Sequence, residues 1–416
     1  MRQARILILV ENEPVPRDRH VWNQSRALAR AGHEVTVICP KGEEQDRDSF
    51  ERLNGVDIHR YEPYRGAEGI AGYVREYGGS LWHMARISRR LARQRPFDVV
   101  HACSPPDFLL LAALPLRRRG ARFIFDHHDL TPELFLTRFG PSPLYRVTLA
   151  AERLAFRLAD VVLSVNESYR RVAIERGARR AEDVKVVRTG PDLSRFRPTP
   201  PDPSLKRGRR FLLSYVGVMS AQDGVDHALR ALAELRRRRE DWHAVFMGDG
   251  DVLDELRRLA DQLGLADATE FTGWVEQETI ARVLSTSDVC LAPDPKNALN
   301  DVSSMVKISE YMAMSRPIVS YDLAESCFAA EEAAVYAPAD DVAAFAGLID
   351  QLLDDPERRA AMGAVGRERV EQVLAWEHQE RSLLAAYDRA LAGSAGAAGT
   401  RASRRRKAEA RVGVGS

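Results

Sequence analysis

Short runs of apolar residues alternate with longer amphipathic segments along most of the chain. In the first half, the apolar runs cover residues 4–10, 34–39, 56–59, 98–101, 122–125, 161–164 and 184–187. In the second half, they cover residues 211–216, 243–247, 269–272, 289–292, 318–321 and 334–336. Runs of this length are typical of buried parallel strands, and the segments between them, such as 21–32, 70–94 and 224–238, have helical periodicity. The alternation predicts an α/β fold with two doubly wound parallel sheets.

The chain is long enough for two domains. Its 416 residues are about two to three times a typical domain, so we expect two domains with a cleft between them. Residues 196–210 are rich in proline and basic side chains, which is typical of an interdomain linker. We therefore predict a Rossmann-like N-terminal domain over 1–200, a second Rossmann-like domain over 205–375 and a C-terminal helix over 376–392. Residues 393–416 lack apolar periodicity and are predicted to form a disordered basic tail.

The composition is that of a globular protein, with 45% hydrophobic and 29% charged residues. Because no apolar run approaches the roughly 18 residues that a membrane span needs, we predict no transmembrane helix. The N-terminal apolar run is interpreted as a first strand rather than a signal peptide, and we expect the protein in the cytoplasm. The cysteines are far apart and are predicted to be reduced core thiols, not disulfides or metal ligands: Cys39, Cys103, Cys290 and Cys327.

Basic side chains are unevenly distributed. Residues 1–195 contain 33 lysines and arginines against 25 aspartates and glutamates, although the net charge of the chain is only +1. The imbalance suggests an anionic partner, for which the inner surface of the cell membrane is a candidate. The segment 70–94, with Trp82 and several arginines, could lie on such a surface or could pack its apolar side on the sheet. We expect the tail to be solvated and no nucleic acid to bind.

Residues 300–322 combine a polar loop, a short amphipathic helix and a buried strand. The candidate caps of this helix are Asp301, Ser303 and Ser304. A helix N-terminus attracts anions, and Lys307 and Glu310 are spaced to share one face near that end. A cation for phosphate and a carboxylate for sugar hydroxyls would suit a nucleotide. The alternative is a surface helix with an ordinary ion pair.

Polar or glycine-rich turns follow several of the predicted strands. In the second half these turns start at Gly217, Gly248 and Gly273, where glycine allows a tight turn and close approach of a ligand. In the first half, the strand 122–125 leads into Asp-His-His-Asp at 126–129. Ligands in open α/β sheets bind at the carboxyl ends of strands, so these turns are the candidate binding segments.

Taken in order, these segments resemble a known enzyme family. Three segments of the second half resemble the donor half of retaining GT-B glycosyltransferases of family 4. They are GDGDVLDEL at 248–256, FTGWV at 271–275 and KISEYMAMSRPIV at 307–319. Two segments of the first half resemble the subgroup that builds bacterial surface polysaccharides from amino-sugar or deoxy-sugar nucleotides. They are DVVHACSPPDFLLL at 98–111 and FDHHDLTPELF at 125–135. The resemblance covers about residues 4–390 and implies the GT-B fold.

The resemblance also implies roles for particular residues. Glu310 matches the acidic residue that binds the ribose hydroxyls, since a carboxylate suits a vicinal diol. The turns beginning at Gly217 and at Gly248 to Gly250 would approach the diphosphate, and Trp274 and Val275 would flank the base. His128 corresponds to the histidine that faces the donor sugar, with His127 as the competing candidate. His128, Lys307 and Glu310 are thus the candidate catalytic residues.

The sequence departs from the family pattern in three places. The first glutamate of the Glu-x7-Glu motif is replaced by Val302, so Asp301, Ser303 or Ser304 would contact the donor instead. The usual basic residues of the Gly217 turn are absent, so we predict that Lys307 and the N–H groups of residues 303–305, ending at Met305, neutralise the diphosphate. The glycine pair of the first loop is replaced by residues 14–20, which either bind an acceptor phosphate or form a plain surface loop. The candidate phosphate ligands there are Arg17, Arg19 and His20.

The resemblance implies transfer of a sugar from a nucleotide-sugar, expected to be a UDP-sugar, to a glycan or lipid-linked acceptor with retention. No metal ion and no cofactor are expected, because cations and helix dipoles would stabilise the leaving nucleoside diphosphate. No pair of carboxylates identifies a covalent nucleophile. Two alternatives remain: a GT-B sugar-nucleotide epimerase or hydrolase, and a non-catalytic binding protein with the same fold.

Overall fold

The computed structural model describes residues 3–42, 46–64 and 69–392, which form two compact units. Unit 1 contains the described residues up to Val187 and those from Glu380 onward, and unit 2 contains Arg188–Gln379. The predicted basic tail at 393–416 lies outside the described residues. Among the described helices, none combines the length and the hydropathy needed to cross a bilayer.

Unit 1 is built on one eight-stranded sheet in the order β3-β4-β2-β1-β5-β6-β7-β8. Only the β3 and β4 pair is antiparallel among these strands. The strands are β1 (Arg5–Leu9), β2 (Glu34–Pro40), β3 (Phe50–Leu53), β4 (Val56–Tyr61), β5 (Val99–Cys103), β6 (Arg122–His127), β7 (Val161–Ser164) and β8 (Val184–Val186).

Helices cover both faces of this sheet, as the crossover connections between parallel strands require. They are α1 (Arg19–Arg30), α2 (Gly69–Gln94), α3 (Leu114–Arg118), α4 (Thr131–Phe139), α5 (Leu144–Leu158) and α6 (Glu167–Glu175). A last helix, α14, runs over 376–392, and its residues from Glu380 onward belong to unit 1.

Unit 2 contains a six-stranded parallel sheet in the order β11-β10-β9-β12-β13-β14. Its strands are β9 (Phe211–Val216), β10 (Trp242–Met247), β11 (Thr269–Gly273), β12 (Val289–Ala292), β13 (Ile318–Tyr321) and β14 (Ala334–Ala337). Its helices are α7 (Val225–Arg236), α8 (Leu253–Gln262), α9 (Gln277–Thr286), α10 (Val306–Ala313), α11 (Ala324–Ala330), α12 (Val342–Asp354) and α13 (Pro356–Arg369).

Both faces of the unit 2 sheet are buried, which explains why its strands are continuous apolar runs. Along β9, Leu213 and Tyr215 enter one core cluster, whereas Leu212 and Val216 enter the cluster on the opposite face. Full burial of a side chain of this size contributes about 1.5–3 kcal/mol, so the two clusters fix the register of the sheet. The expected fold class, two doubly wound parallel α/β sheets, is confirmed.

The segment 196–210 is not the linker that its composition suggested. Thr199 N donates to Ser285 Oγ and Asp202 N to Thr286 Oγ1, both at 2.9 Å, so the segment is anchored to the end of α9. Lys206 adds an ion pair with Asp288 at 2.8 Å. The prolines therefore shape a docked segment of unit 2, and the units divide at Val187, before the segment predicted to separate them.

Candidate functional site

The order of strands in unit 2 defines where a ligand can enter. The chain first builds outward from β9 through β10 to β11, and then returns to build β12, β13 and β14 on the other side of β9. The crevice at the carboxyl ends of β9 and β12 is the topological switch point of the sheet, where open α/β folds bind ligands. Gly217 directly follows β9, and the loop that leads from β12 to α10 begins at Pro293.

Glycines allow the loops at this edge to pack backbone against backbone. A Cβ on Gly248 would collide with the carbonyl oxygen of Gly217, and one on Gly250 would collide with that of Met219. Gly217 N donates to Met247 O at 3.1 Å and Met219 N to Asp249 O at 3.0 Å. Gly248 and Gly250 therefore let two loops pack against each other. The sequence predicted only that these glycines allow a ligand to approach the backbone closely.

Lys307 lies at the centre of the switch point and is almost fully buried, with 7% of its side chain exposed. Its Nζ donates to Asp294 Oδ1 at 2.5 Å, lies 3.9 Å from Asp223 Oδ1 and sits 5.1 Å from the centre of the Tyr215 ring. A Cβ on Gly217 would lie 3.2 Å from Lys307 Cε, so glycine leaves room for the lysine stem. Lys307, the predicted phosphate ligand, therefore lies at the carboxyl edge of the sheet and is already paired with the carboxylate of Asp294.

Asp294 is the partner that sequence reasoning missed. It is buried, and its Oδ2 accepts no hydrogen bond within the described part of the chain. Burial raises the pKa of Asp294, and the charge and hydrogen bond of Lys307 oppose that rise. An acidic residue two positions after the predicted strand 289–292 was the available signal, because strand ends are where functional side chains collect.

A polar frame holds the loops around this pair. The Asn300 side-chain amide donates to Gln222 O and to Pro295 O, both at 2.9 Å, and so ties the loop after β9 to the loop after β12. Ser220 and Asp223 form a reciprocal capping box in the loop after β9. Gln222 and Asp223 occupy the place of the absent family cations, and both are engaged in this frame.

The start of α10 differs from the prediction. The helix begins at Val306 with Met305 as its N-cap, and no side chain caps it. Asp301 Oδ1 instead accepts from Ala324 N at 2.9 Å at the start of α11, and Ser303 Oγ donates to Leu299 O at 2.7 Å. Asp301 and Ser303 are therefore not caps of α10, because a short 3-10 turn over Asn300–Val302 precedes it. Ser304 lies between that turn and the helix.

The remaining predicted donor residues lie at the same edge of the sheet. Glu310 is on α10, one turn beyond Lys307, and is 8% exposed. Gly273 ends β11 with φ +69°, and Gly248 N donates to Gly273 O at 2.9 Å, which places this turn beside the glycine loops. Trp274 follows with 62% of its surface exposed, whereas Val275 packs on the core. Trp274 is an aromatic surface that a base could cover.

Unit 1 contains a buried polar cluster at the end of β6, centred on Asp126. Its Oδ2 accepts from His20 Nε2 at 2.8 Å, Gln24 Nε2 at 2.8 Å and His101 Nε2 at 3.2 Å. His101 Nδ1 in turn lies 2.7 Å from the Tyr387 hydroxyl, which belongs to the last helix. The sequence showed no histidine cluster at metal spacing, because the fold collects these residues from four distant segments.

The structure separates the two histidines that competed for one role. His127 is fully buried, with its Nε2 3.2 Å from Glu152 Oε1, and Glu152 is paired with Arg176. His128 is 12% exposed and its ring lies 4.9 Å from that of His20. Only His128 offers a surface to a ligand, so it remains the candidate, and His127 is structural.

The charges of this cluster are set by its partners. Burial lowers the pKa of His20, but the charge and hydrogen bond of Asp126 outweigh burial and leave it raised. Burial opposes ionisation of Asp126, yet its histidine partners hold its pKa well below the usual range. Burial and the charge of His20 lower the pKa of His128 to about 3. These shifts favour a neutral imidazole at His128 beside a His20–Asp126 pair whose ionised form is favoured.

The predicted acceptor residues have different environments. Arg17 and Arg19 are exposed, the latter as the first residue of α1. His20 is buried and bound to Asp126, so its environment differs from that of the two arginines, and its role as a phosphate ligand stays a prediction. Asp18 caps α1 by accepting from Val21 N at 2.9 Å, which turns His20 inward while the arginines face solvent.

Two family models divide the chain as the two sheets do. The model described as Glycosyltransferase Family 4 matches residues 18–195, and the model described as Glycosyl transferases group 1 matches residues 210–355. An alpha-D-kanosaminyltransferase of Streptomyces kanamyceticus is 30% identical over 309 residues, which are 71% of this chain and 78% of the relative. The chain belongs to glycosyltransferase family 4.

Solved structures support the fold of this glycosyltransferase. Sucrose-phosphate synthase from Thermosynechococcus elongatus has a TM-score of 0.76 at 19% identity, covering 94% of this chain and all of that one. HepE of Anabaena in complex with UDP-glucose has a TM-score of 0.68 at 16% identity, covering 93% of this chain and all of that one. At these identities the similarity establishes the GT-B architecture of the two units and no residue roles.

Proposed function

We propose that this glycosyltransferase binds a nucleotide-sugar, with UDP as the expected nucleotide, at the switch point of unit 2. The observation that carries the proposal is the convergence of the Gly217 turn, the Lys307–Asp294 pair and Glu310 at the carboxyl ends of β9 and β12. UDP-glucose in the HepE complex, a protein of the same fold, and the kanosaminyl activity of the Streptomyces relative favour a nucleotide-linked hexose or amino-sugar.

Lys307 is the proposed phosphate ligand even though it is paired. An ammonium has three N–H donors, and among the described residues only Asp294 accepts a hydrogen bond from it. Two donors therefore remain for a diphosphate. The N-terminus of α10, which no side chain caps, adds backbone N–H groups with the positive end of the helix dipole. Together these groups would stabilise the leaving nucleoside diphosphate without a metal ion.

Glu310, Trp274 and His128 complete the proposal. The Glu310 carboxylate accepts hydrogen bonds from the ribose diol, and the exposed indole of Trp274 covers the base. In unit 1, the neutral imidazole of His128 exchanges a hydrogen bond with a sugar hydroxyl or phosphate oxygen. Asp126 and His20 act as positioning residues, because they fix a charged pair next to that imidazole.

The reaction we propose is transfer with retention to a glycan or lipid-linked acceptor in surface polysaccharide biosynthesis, in the cytoplasm at the inner face of the membrane. These finer features rest on the resemblance of the sequence motifs. Arg17 and Arg19, exposed at the start of α1, remain the proposed ligands of an acceptor phosphate. Asp301, Ser303 and Ser304 remain candidates for donor contacts in place of the missing first glutamate.

The test is an assay of nucleoside diphosphate release from UDP-, GDP-, ADP- and dTDP-sugars with a panel of glycan acceptors, in the presence of EDTA. We expect release from one nucleotide class that depends on the acceptor. Release without any acceptor would identify the epimerase or hydrolase alternative instead. No release and no binding with any donor would overturn the proposal and leave a non-catalytic binding protein.

A further inference from the structure

Unit 1 contains a groove between the last residues of β4 and the second half of α2. Its volume is about 650 Å³, which lies within the range of small-molecule sites. Tyr61, Trp82 and His83 are an aromatic cluster in its lining, called the aromatic wall below, and four arginines of α2 also line it: Arg86, Arg89, Arg90 and Arg93. The family motifs of the first half do not include these side chains.

The four arginines of the groove are exposed, and none of them forms an ion pair with a carboxylate in the described ranges. Neighbouring arginines behave differently: Arg60 is paired with Asp46 and Glu51, and Arg95 with Glu34. Residues 86 to 93 span seven helical steps, which is about 10 Å along α2. The groove therefore presents a row of uncompensated cations that suits two or more separated anionic groups.

The aromatic wall is organised before any ligand binds. The rings of Tyr61 and His83 stack at 5.3 Å with an interplanar angle of 11°, and Trp82 meets His83 edge-on at 4.8 Å. The Arg86 guanidinium lies 5.4 Å from the centre of the Trp82 ring, and the indole is 57% exposed. An exposed indole held in place beside a cation is a platform for the apolar face of a ring.

We propose that this groove binds a saccharide that carries phosphate or carboxylate groups. The arginines pair with the anionic groups, and Trp82 packs against the sugar ring. A discrete ligand fits these features because aromatic side chains and cations line the same cavity. The site belongs to unit 1 and does not depend on the nucleotide site proposed for unit 2.

The experiment is isothermal titration calorimetry of the full chain with glucose 1,6-bisphosphate, a soluble hexose with two phosphates. Three variants are compared with the wild type: R86Q/R90Q, W82A and R153Q. Arg153 is exposed on α5 outside the groove, so R153Q is a control for loss of a charge from the same unit. Equal thermal midpoints of all variants establish that folding is unaffected, as exposed positions should allow.

We expect saturable binding by the wild type and by R153Q, at least tenfold weaker binding by R86Q/R90Q, and weaker binding by W82A. Raising the salt from 50 to 300 mM should weaken binding, because exposed charges are screened. Absence of binding by the wild type, or equal loss in R153Q, would overturn the proposal. A parallel sedimentation with vesicles containing phosphatidylglycerol separates the sources of phosphate: groove-dependent binding to vesicles alone would overturn it in favour of a membrane contact.

Discussion

The Lys307 ammonium lies 2.5 Å from the Asp294 carboxylate, and both side chains are buried at the switch point of unit 2. The pair joins the loop after β12 to the first turn of α10, so it is both a structural link and the proposed phosphate site. A buried ion pair contributes little net stability, but loss of one partner is costly. Function and stability can therefore be separated by the choice of substitution.

The activity prediction ranks two residues that lie close together. Lys307→Ala should lower kcat/KM roughly 100- to 1000-fold, because it removes a cation that stabilises the leaving group. Asp223→Ala should cost less than about tenfold, since Asp223 mainly closes the capping box with Ser220. Steady-state kinetics with saturating acceptor measures both. The opposite ranking would place the phosphates elsewhere.

The stability prediction uses the same pair. Lys307→Met leaves the Asp294 charge buried without a partner and should lower the free energy of unfolding by about 3–5 kcal/mol. Adding Asp294→Asn removes that charge, so the double variant should regain most of the loss while remaining inactive. Urea denaturation of the single and double variants tests this. A double variant as unstable as K307M would show that the pair is not the cause.

Substitution of Asp126 should lower kcat without changing the affinity for the nucleotide. Asp126→Asn removes the charge that keeps the pKa of His20 raised, and with it the charged pair beside His128. We expect kcat to fall about 10- to 100-fold and its pH profile to shift, with the Kd for UDP within about twofold of the wild type. Gln24→Ala, which removes one donor and no charge, should have a smaller effect. A weakened Kd for UDP would contradict this assignment.

Glu11 should make stability depend on pH. Burial raises the pKa of Glu11 to about 7, against 4.5 for the free side chain, although Ser80 donates to it at 2.9 Å. Between these values the folded state binds more protons than the unfolded state, so its stability falls as pH rises from 4.5 to 7. Glu11→Gln should remove roughly 1–3 kcal/mol of that decline. Denaturation midpoints of the wild type and Glu11→Gln at pH 5 and pH 7.5 measure this difference. An equal decline in stability in the two proteins would show that Glu11 is not its cause.

Strands and helices of unit 2 could be predicted from sequence because both faces of its sheet are buried. Continuous apolar runs mark β9, β12 and β13 within a residue of their ends. The short strand β3 was missed, since it is half exposed at the sheet edge and has no apolar run. The proline-rich composition of 196–210 led to the wrong prediction of an interdomain linker, because composition does not reveal the hydrogen bonds of this segment to Ser285 and Thr286.

The candidate site could be predicted in part. Lys307 and Glu310 were found because their spacing places them on one helix face, whereas Asp294 was missed because its pairing with Lys307 is a contact across 13 residues. The choice between His127 and His128 needed the structure, because alternation along a strand end decides which imidazole is buried. His20 was grouped with Arg17 and Arg19, since sequence could not show that His20 pairs with the buried Asp126.

The most direct test of the donor site is the affinity for UDP measured by isothermal titration calorimetry with the wild type, Glu310→Gln and the control Arg153→Gln. Glu310→Gln keeps the size of the side chain but removes the negative charge of the carboxylate, which accepts hydrogen bonds from the ribose hydroxyls. We therefore expect a Kd for UDP at least tenfold higher, which corresponds to a loss of about 1.4 kcal/mol of binding free energy. Arg153→Gln, on the surface of α5 in unit 1, should bind as the wild type does. An unchanged Kd for Glu310→Gln, with UDP binding intact in the wild type, would contradict the placement of the nucleotide at the switch point of unit 2.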